Sequence, residues 1–269
     1  VGSEMCIRDR FGGYPKYIKA VKYFHIFSKL PFRHKFSRFL DFLKPDYLFI
    51  ISRTNNFYTR YYDRLKEVLI AQNPISVMNS LASYFSEEEI RKLLGISGNK
   101  TEIYFEEYAE VLSDAYNNDI DKMMAIDYIT YLPDDLLVKV DRATMSVSLE
   151  GREPLLDHRI IEFVAQLPSH FKIKGNITKF LLREITHKYI PEKLVNRPKM
   201  GFTPPYLKWV ENYFYDSVQE SISLLEKEEF LNAKYIRKNL YYWKNGVKTY
   251  TKKIWLLWIF YMWKKRWGI

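Results

Sequence analysis

Apolar residues recur at helical spacing through most of this chain, and no long strand-like alternation of apolar and polar positions interrupts them. Phe11-Gly-Gly-Tyr14-Pro15 reads as a turn, with glycine free to take positive φ and proline fixing the exit. Residues 21–49 are rich in aromatic and basic side chains and predict two short helices broken near Pro31 and Pro45. Ser86-Glu-Glu-Glu89 forms a capping box, in which Ser86 and Glu89 satisfy each other's backbone donors. That helix is predicted to stop at Gly95 as a left-handed C-cap. Residues 102–115 predict an amphipathic helix with Ile103, Tyr104, Tyr108 and Val111 or Leu112 on one face.

Further on, residues 122–131 run straight into Pro133, which suits the first turn of a new helix. Asp134 and Asp135 then fall where the positive end of the macrodipole favours acids. Leu136, Val140, Ala143 and Val147 are predicted to line one face of this helix. A helix over 157–167, a loop over 168–175, and helices over 177–189 and 204–225 follow, with more helix near the C-terminus. No internal repeat, low-complexity linker or boundary appears, so one mainly helical domain is expected. The most apolar run, Ile254 to Trp263, is half the ~20 residues a bilayer span needs. A terminal helix docking its aromatic face on the core is the expectation, in keeping with 22 Tyr and 18 Phe.

Charge widens the options. With 42 Lys+Arg against 32 Asp+Glu the net charge is +10, which suits a nucleic acid, an anionic membrane or a cleft for polyphosphate. The basic residues are spread from Lys16 to Arg266 rather than gathered, which weakens the nucleic-acid reading. A single cysteine, Cys6, makes no internal disulfide, and a reducing cytoplasm is the default. VGSEMCIRDR has no apolar core and is not a signal peptide; residues 1–10 read as a non-native scar, leaving 11–269 as the domain. The five histidines show neither HxxxH nor HExxH spacing, so no metal site built by this chain is expected.

Candidate chemistry concentrates between Tyr131 and Asp157. Asp141 and Arg142 interrupt an apolar stretch, and Glu150-Gly-Arg152 falls where the helix should end before Pro154. Asp135, Lys139 and Arg142 alone would be a solvated stripe. Asp141, sharing a face with Val138 and Met145, is not explained that way. Either the charges form a buried network, where each must be paired, or they contact a ligand. A second candidate is Lys179. Asn176 offers itself as a helix N-cap, which puts Lys179 in the first turn, where a cation opposes the dipole. No acid lies between Asn176 and Leu182, and a bound anion would offset the cost. The bland alternative is a solvated lysine at a frayed helix start. The third candidate, Asn196-Arg-Pro-Lys199-Met-Gly-Phe202, is a basic loop of a kind that is usually only solvated.

The segment YLPDDLLVKVDRATMSVSLEGREPLLD, with D-R-x-x-M before E-x-R-x-P-x-L-D, resembles the synthetase domain of glutamine-dependent asparagine synthetases. The resemblance covers roughly residues 11–267 and is most specific over 131–202. It implies a mainly α fold here: the helical C-terminal portion of an α/β adenine-nucleotide α-hydrolase-like (PP-loop ATP pyrophosphatase) domain. It further implies that Asp141, Arg142, Glu150 and Arg152 line the synthetase cleft. ITKFLLRE matches the family segment carrying an active-site lysine, and Lys179 falls on it as the catalytic candidate. Arg197 and Lys199 match a family R-P-K-x-x-F loop near the site, with a substrate or phosphate role. Phe11 to Tyr14 matches the end of a D-E-x-F-x-G-Y string that closes a pyrophosphate segment, which brings Tyr14 to the cleft.

The family's Ser-Gly-Gly-x-Asp-Ser loop, its Mg²⁺-holding acids and its glutaminase domain with an N-terminal Cys nucleophile do not occur in this sequence. For the full-length enzyme the resemblance implies ATP and Mg²⁺, aspartate, and ammonia from glutamine, joined through an acyl-adenylate. This segment alone is expected to be inactive. No nucleic acid and no membrane are implied as partners, and a homodimer stays open. One alternative is a related amidotransferase acting on a cell-surface sugar acid or other carboxylate, such as a β-amino acid precursor. A different class is a basic helical module binding nucleic acid or membrane.

Overall fold

The computed structural model describes residues 11–42, 57–96, 108, 112, 115–196 and 205–269. In chain order the first helices are α1 (Pro15–Ser28), α2 (Arg33–Phe42), α3 (Phe57–Ile70), α4 (Pro74–Ala82) and α5 (Glu87–Leu94). Then come α6 (Asp119–Ile129), a π-helical turn (Leu132–Leu137), α7 (Val138–Met145), α8 (His158–Gln166) and the short α9 (Ser169–Lys172). A two-stranded antiparallel hairpin, β1 (Ile173–Lys174) and β2 (Ile177–Thr178), pairs Ile173 with Thr178. The rest is α10 (Phe180–His187), α11 (Glu192–Val195), α12 (Tyr206–Lys208), a second π turn (Trp209–Tyr213), α13 (Tyr215–Leu225), α14 (Ala233–Lys244) and α15 (Lys248–Trp267).

Two compact units emerge. One is Val1–Leu30, Ala71–Leu81 and Glu102–Lys199; the other is Pro31–Ile70, Ala82–Thr101 and Met200–Ile269. Both are assembled from discontinuous segments, which is why no linker composition marks a border in the sequence.

In the first unit, Pro15 is the first residue of α1, where its missing N–H costs nothing. Tyr17 and Ala20 on this helix are fully buried, as are Met123 and Ile126 of α6. Asn118 caps α6 by accepting the Ile120 N–H at 2.8 Å. Pro133 brings no N–H to the helical ladder, and the turn containing it widens to i→i+5 bonding. Leu132 and Leu136 bury here with Tyr128, Leu137 and Leu156 against them. The predicted stripe does not continue, since Ala143 is exposed and Val147 is 73% exposed. A residue absorbed by a widened turn shifts every later position by roughly 100° around the axis, which breaks a stripe drawn at constant period.

Residues 168–178 also differ from expectation: the predicted loop contains α9 and β1, and the start of the predicted 177–189 helix is β2. Gly175, at φ 59, and Asn176 form the two-residue hairpin loop. The helices predicted around Pro31 correspond to α1 and α2, whereas Pro45 and most of residues 102–115 lie outside the described residues.

The second unit is built on α13, α14 and α15. Val218, Ile222, Leu225, Ile236 and Ile254 are fully buried in one cluster with Trp243, Leu257 and Trp258. Each such side chain contributes roughly 1.5–3 kcal/mol by leaving water. The C-terminal helix thus docks through Ile254, Leu257 and Trp258, as its sequence predicts. Among the described residues no helix is long and apolar enough to cross a membrane.

The capping box of α5 is present as predicted. Ser86 Oγ accepts the Glu89 N–H at 3.1 Å, Glu89 Oε2 accepts the Ser86 N–H at 3.1 Å, and Gly95 takes the left-handed C-cap at φ 64. The other oxygen of Glu89 accepts the Tyr235 hydroxyl at 3.0 Å and pairs with the Lys253 ammonium. Burial, then the Glu89 charge, push the Tyr235 phenol far above its ordinary value, so it stays a donor. One exposed-looking glutamate therefore both starts α5 and anchors α14 and α15 to it.

Glu89→Ala is expected to destabilise the protein by about 3–5 kcal/mol by stranding Lys253 and the Tyr235 hydroxyl. Ser86→Ala should cost about 1 kcal/mol. Urea denaturation of both variants measures this, and equal small losses would show that Lys253 is satisfied by water. Beside it, burial opposes the Glu88 charge, but hydrogen bonds and attraction from Lys66 and Lys92 prevail and hold its carboxyl at about 2, against an ordinary 4.5. Its contribution should be complete above pH 4.5 and vanish as pH falls through 2. Because Glu88 is half exposed, that contribution should stay under ~1 kcal/mol. A Glu88→Gln variant compared with the parent across this range should lose only that acid-dependent component.

Candidate functional site

Two of the candidate residues, Lys179 and Tyr14, belong to the structure around the turn before α1. Gly12 sits at φ 63, and a Cβ there would lie 2.5 Å from Ile173 Cγ1 and 3.4 Å from Met124 Sδ. Only glycine lets the turn press between β1 and α6 in this way. The Phe11 carbonyl next to it accepts the Lys179 N–H at 3.1 Å. The hairpin thus delivers Lys179 directly to the Phe11–Tyr14 turn.

Lys179 does not lie one turn inside a helix capped by Asn176, as its sequence suggests. It is itself the N-cap of α10, in the left-handed conformation at φ 57 and ψ 37. The chain stays extended through Thr178 because Ile177–Thr178 is paired with β1, so the helix cannot begin at Asn176. A non-glycine residue held there costs roughly 1–2 kcal/mol, and strain of this sort concentrates at functional positions. Its side chain is half-buried. Arg183 holds the arrangement: its Nε donates to the Thr178 carbonyl at 2.9 Å, and its guanidinium also bonds Asn196 Oδ1. Asn196 in turn donates to Glu192 Oε1 at 2.8 Å. Arg197 and Lys199, which follow, lie outside the described residues.

Tyr14 is the N-cap residue of α1, half-buried, with its ring edge-on to Tyr17 and Tyr131 at 5.9 and 6.0 Å. Beneath it is a buried carboxylate that the sequence reading missed. Asp127 on α6 is 1% exposed and receives the Tyr17 hydroxyl at 2.5 Å and the Lys16 ammonium at 2.8 Å. The same ammonium lies 5.1, 5.6 and 5.3 Å from the ring centres of Tyr14, Tyr17 and Tyr131. A sequence signal existed: Asp127 follows Met123 by four residues and Met124 by three, an acid on the apolar face of α6. A second missed pair, Lys172 with Asp121 at 2.9 Å, ties α9 to the start of α6 with both side chains buried or nearly so.

The four charges singled out between Asp141 and Arg152 do not converge. All four are exposed. Glu150 and Arg152 grip each other through two parallel hydrogen bonds of 3.0 and 3.1 Å, and no hydrogen bond joins Asp141 or Arg142 to them. The expectation of a buried, mutually bonded network is therefore corrected: α7 points outward after the π turn, so water solvates its charges. Asp141 instead lines an open pocket of about 380 Å³ with Leu137, Val138, Val140, Gly151, Glu153 and Leu156. Asp157, the last residue of the motif, caps α8: its Oδ1 accepts the Arg159 N–H at 2.9 Å. Hydrogen bonds from the Arg159 side chain and backbone hold its carboxyl far below the ordinary range. Among the described residues no group of three or more His, Cys, Asp or Glu could hold a metal ion.

Comparison with known proteins bears on this site. The family model described as asparagine synthase matches residues 9–265. The chain belongs to the asparagine synthase family. It is 32% identical over 163 residues to asparagine synthetase (glutamine-hydrolyzing) 1 of Bacillus subtilis (strain 168), covering 61% of this chain and 25% of that protein. To asparagine synthetase (glutamine-hydrolyzing) 3 of the same organism it is 32% identical over 108 residues, 39% of this chain and 17% of that one. To the asparagine synthetase (glutamine-hydrolyzing) of Homo sapiens it is 27% identical over 142 residues, 49% of this chain and 25% of that one. The matched stretches span a quarter or less of these relatives' lengths. No solved structure matches the chain. Within this asparagine synthase family segment, then, the turn at Phe11–Tyr14 and the cap at Lys179 are one local structure, while the Asp141–Arg152 charges form a separate, solvated surface.

Substitution of Gly12 and Gly95 separates backbone strain from crowding. Gly95, at φ 64, has no atom near a Cβ, so Gly95→Ala should cost only ~1–2 kcal/mol. Gly12→Ala should cost that and a further ~1–3 kcal/mol for displacing Ile173. Thermal melts of the two variants give the difference, and equal losses would mean that Ile173 yields freely. Asp141→Ala, being solvated, should stay within about 0.5 kcal/mol of the parent; a loss of several kcal/mol would restore the buried-network reading.

Proposed function

We propose that this chain forms the phosphate-facing wall of an ATP-dependent amidotransferase that makes asparagine from aspartate and ammonia derived from glutamine. The supporting observation is the hydrogen bond from the Lys179 N–H to the Phe11 carbonyl. It unites the two segments that the family resemblance links to pyrophosphate and to an active-site lysine. In this reading the chain is the helical part of an α/β PP-loop domain, and the polypeptide works in a reducing cytoplasm beside a glutaminase domain.

The aspartate β-carboxylate attacks the α-phosphorus of ATP, giving an acyl-adenylate as pyrophosphate leaves. Ammonia then adds to the acyl carbon, and AMP departs to leave asparagine. Negative charge grows on the departing pyrophosphate, and a cation already fixed in place stabilises it without reorganising. Lys179 suits that task because its backbone is clamped on both sides, by Phe11 before it and α10 after it. A lysine is a compact point charge, whereas arginine presents a wide planar fork. By resemblance Arg197 and Lys199 are assigned a substrate or phosphate role and Tyr14 a place in the same cleft. Asp141, Arg142, Glu150 and Arg152, all exposed, are assigned to its solvated side. The Mg²⁺ that accompanies ATP finds no carboxylate cluster among the described residues, so no step is assigned to a metal held by this chain.

In a full-length protein carrying this segment, Lys179→Ala should cut asparagine formation by roughly 10²–10³ and leave glutamine hydrolysis largely intact. Lys179→Arg should recover little of the loss. Asparagine and glutamate formed by each variant, measured side by side, decide the matter. Near-normal asparagine formation, or equal loss of both activities with a lowered melting temperature, removes Lys179 from the mechanism. The 269-residue chain alone, given ATP, aspartate and ammonia, should release no AMP above background.

A further inference from the structure

Asp127 sits where no ligand reaches it, yet it holds the turn that meets Lys179. Its carboxylate is 1% exposed, accepts the Tyr17 hydroxyl at 2.5 Å and pairs with Lys16 at 2.7 Å. Both donors belong to the first turn of α1, immediately after the Phe11–Tyr14 turn. One helical turn before Asp127 on the same face of α6, Met124 meets the other side of that turn at Gly12. Helix α6 therefore grips the turn twice, once by packing and once by charge. Ile173 closes on Gly12 from the hairpin, and the Phe11 carbonyl, so fixed, receives the Lys179 N–H.

We propose that Asp127 is a positioning residue for the Lys179 site: by anchoring Lys16 and Tyr17 it fixes the Phe11 carbonyl and, through it, the left-handed cap at Lys179. The inference rests on the reading of Lys179 given above. Lys16 is thereby assigned no phosphate. Its ammonium is already neutralised by Asp127 and enclosed by three tyrosine rings, so it serves to tie α1 to α6. A buried carboxylate with two donors is a directional clamp, because losing Lys16 leaves charge uncompensated in the interior and losing the Tyr17 hydroxyl leaves a buried acceptor short of a hydrogen bond. Lys179 gains by being held at the end of such a clamp, since a backbone in a strained conformation keeps it only when its surroundings over-determine it.

Amide hydrogen exchange and pyrophosphate titration of the whole chain test this. In Asp127→Asn the Lys179 amide should exchange at least tenfold faster, while amides of the second unit such as Ile236 keep their rates. Tyr17→Phe, which removes one hydroxyl and spares the Lys16 pair, should give a smaller effect at the same amide. Calorimetric titration with inorganic pyrophosphate should show weakening of tenfold or more in Asp127→Asn and less in Tyr17→Phe. An unchanged Lys179 amide in both variants overturns the proposal, whatever pyrophosphate does. So does uniform acceleration across the first unit in both, the mark of a merely structural residue. If the parent chain fails to bind pyrophosphate, the reading of Lys179 as a phosphate group loses support, while the exchange rates still decide the role of Asp127.

Discussion

The backbone at Gly12 passes so close to Ile173 that there is no room for a methyl group between them. Much of the first unit follows from that contact. It requires glycine at positive φ, and it presses the turn before α1 onto the hairpin. It also sets the Phe11 carbonyl where Lys179 can donate to it. Lys179 then begins α10 from a conformation that most residues avoid. A single tight approach of the backbone at Gly12 to the Ile173 side chain thus helps fix the start of one helix and the start of another distant in sequence.

Charge is used in two ways. Buried or half-buried pairs such as Lys16 with Asp127, Lys172 with Asp121 and Lys253 with Glu89 connect elements far apart in the chain. Each member has its partner, as a low-dielectric setting demands. The charges on and after α7 are of the other kind: Glu150 and Arg152 hold each other at the surface, where water screens the pair. The motif that looks most chemical in the sequence therefore carries its charges in solvent, and the buried ion pairs are made by residues that stand out less.

Local signals were legible. The capping box at Ser86 and Glu89 and the glycine stop at Gly95 are written in adjacent residues, and the structure has both, whereas α1 begins at Pro15, earlier than the helix expected from residue 21. The helical character of most of the chain was readable from spacing, and the docking of α15 on the core from its short apolar, aromatic run. The hairpin at Ile173–Thr178 was not, because two-residue strands carry no period. That omission moved the expected N-cap from Lys179 to Asn176. The π turn likewise defeats a stripe drawn at constant period, which is why Ala143 and Val147 were misplaced. Of the candidate residues, Lys179 stood out by its place near a helix start and by resemblance, and Tyr14 by resemblance. The Lys179 N–H donates to the Phe11 carbonyl in the turn that ends at Tyr14. Asp127 was overlooked because its partners, Lys16 and Tyr17, lie over a hundred residues away.

The interleaving of the two units carries a consequence for how this chain comes to be folded. The polypeptide passes from one unit to the other after residues 30, 70, 81, 101 and 199. During synthesis, the first unit cannot be completed until about residue 199 has emerged, and the second must wait for its last segment. Until then, segments of both units hold apolar faces without partners, a state prone to aggregation. Closing such long loops costs entropy before the distant contacts form to offset it. Cooperativity here is a property of the order of segments: neither unit can be cut out as one continuous piece of chain.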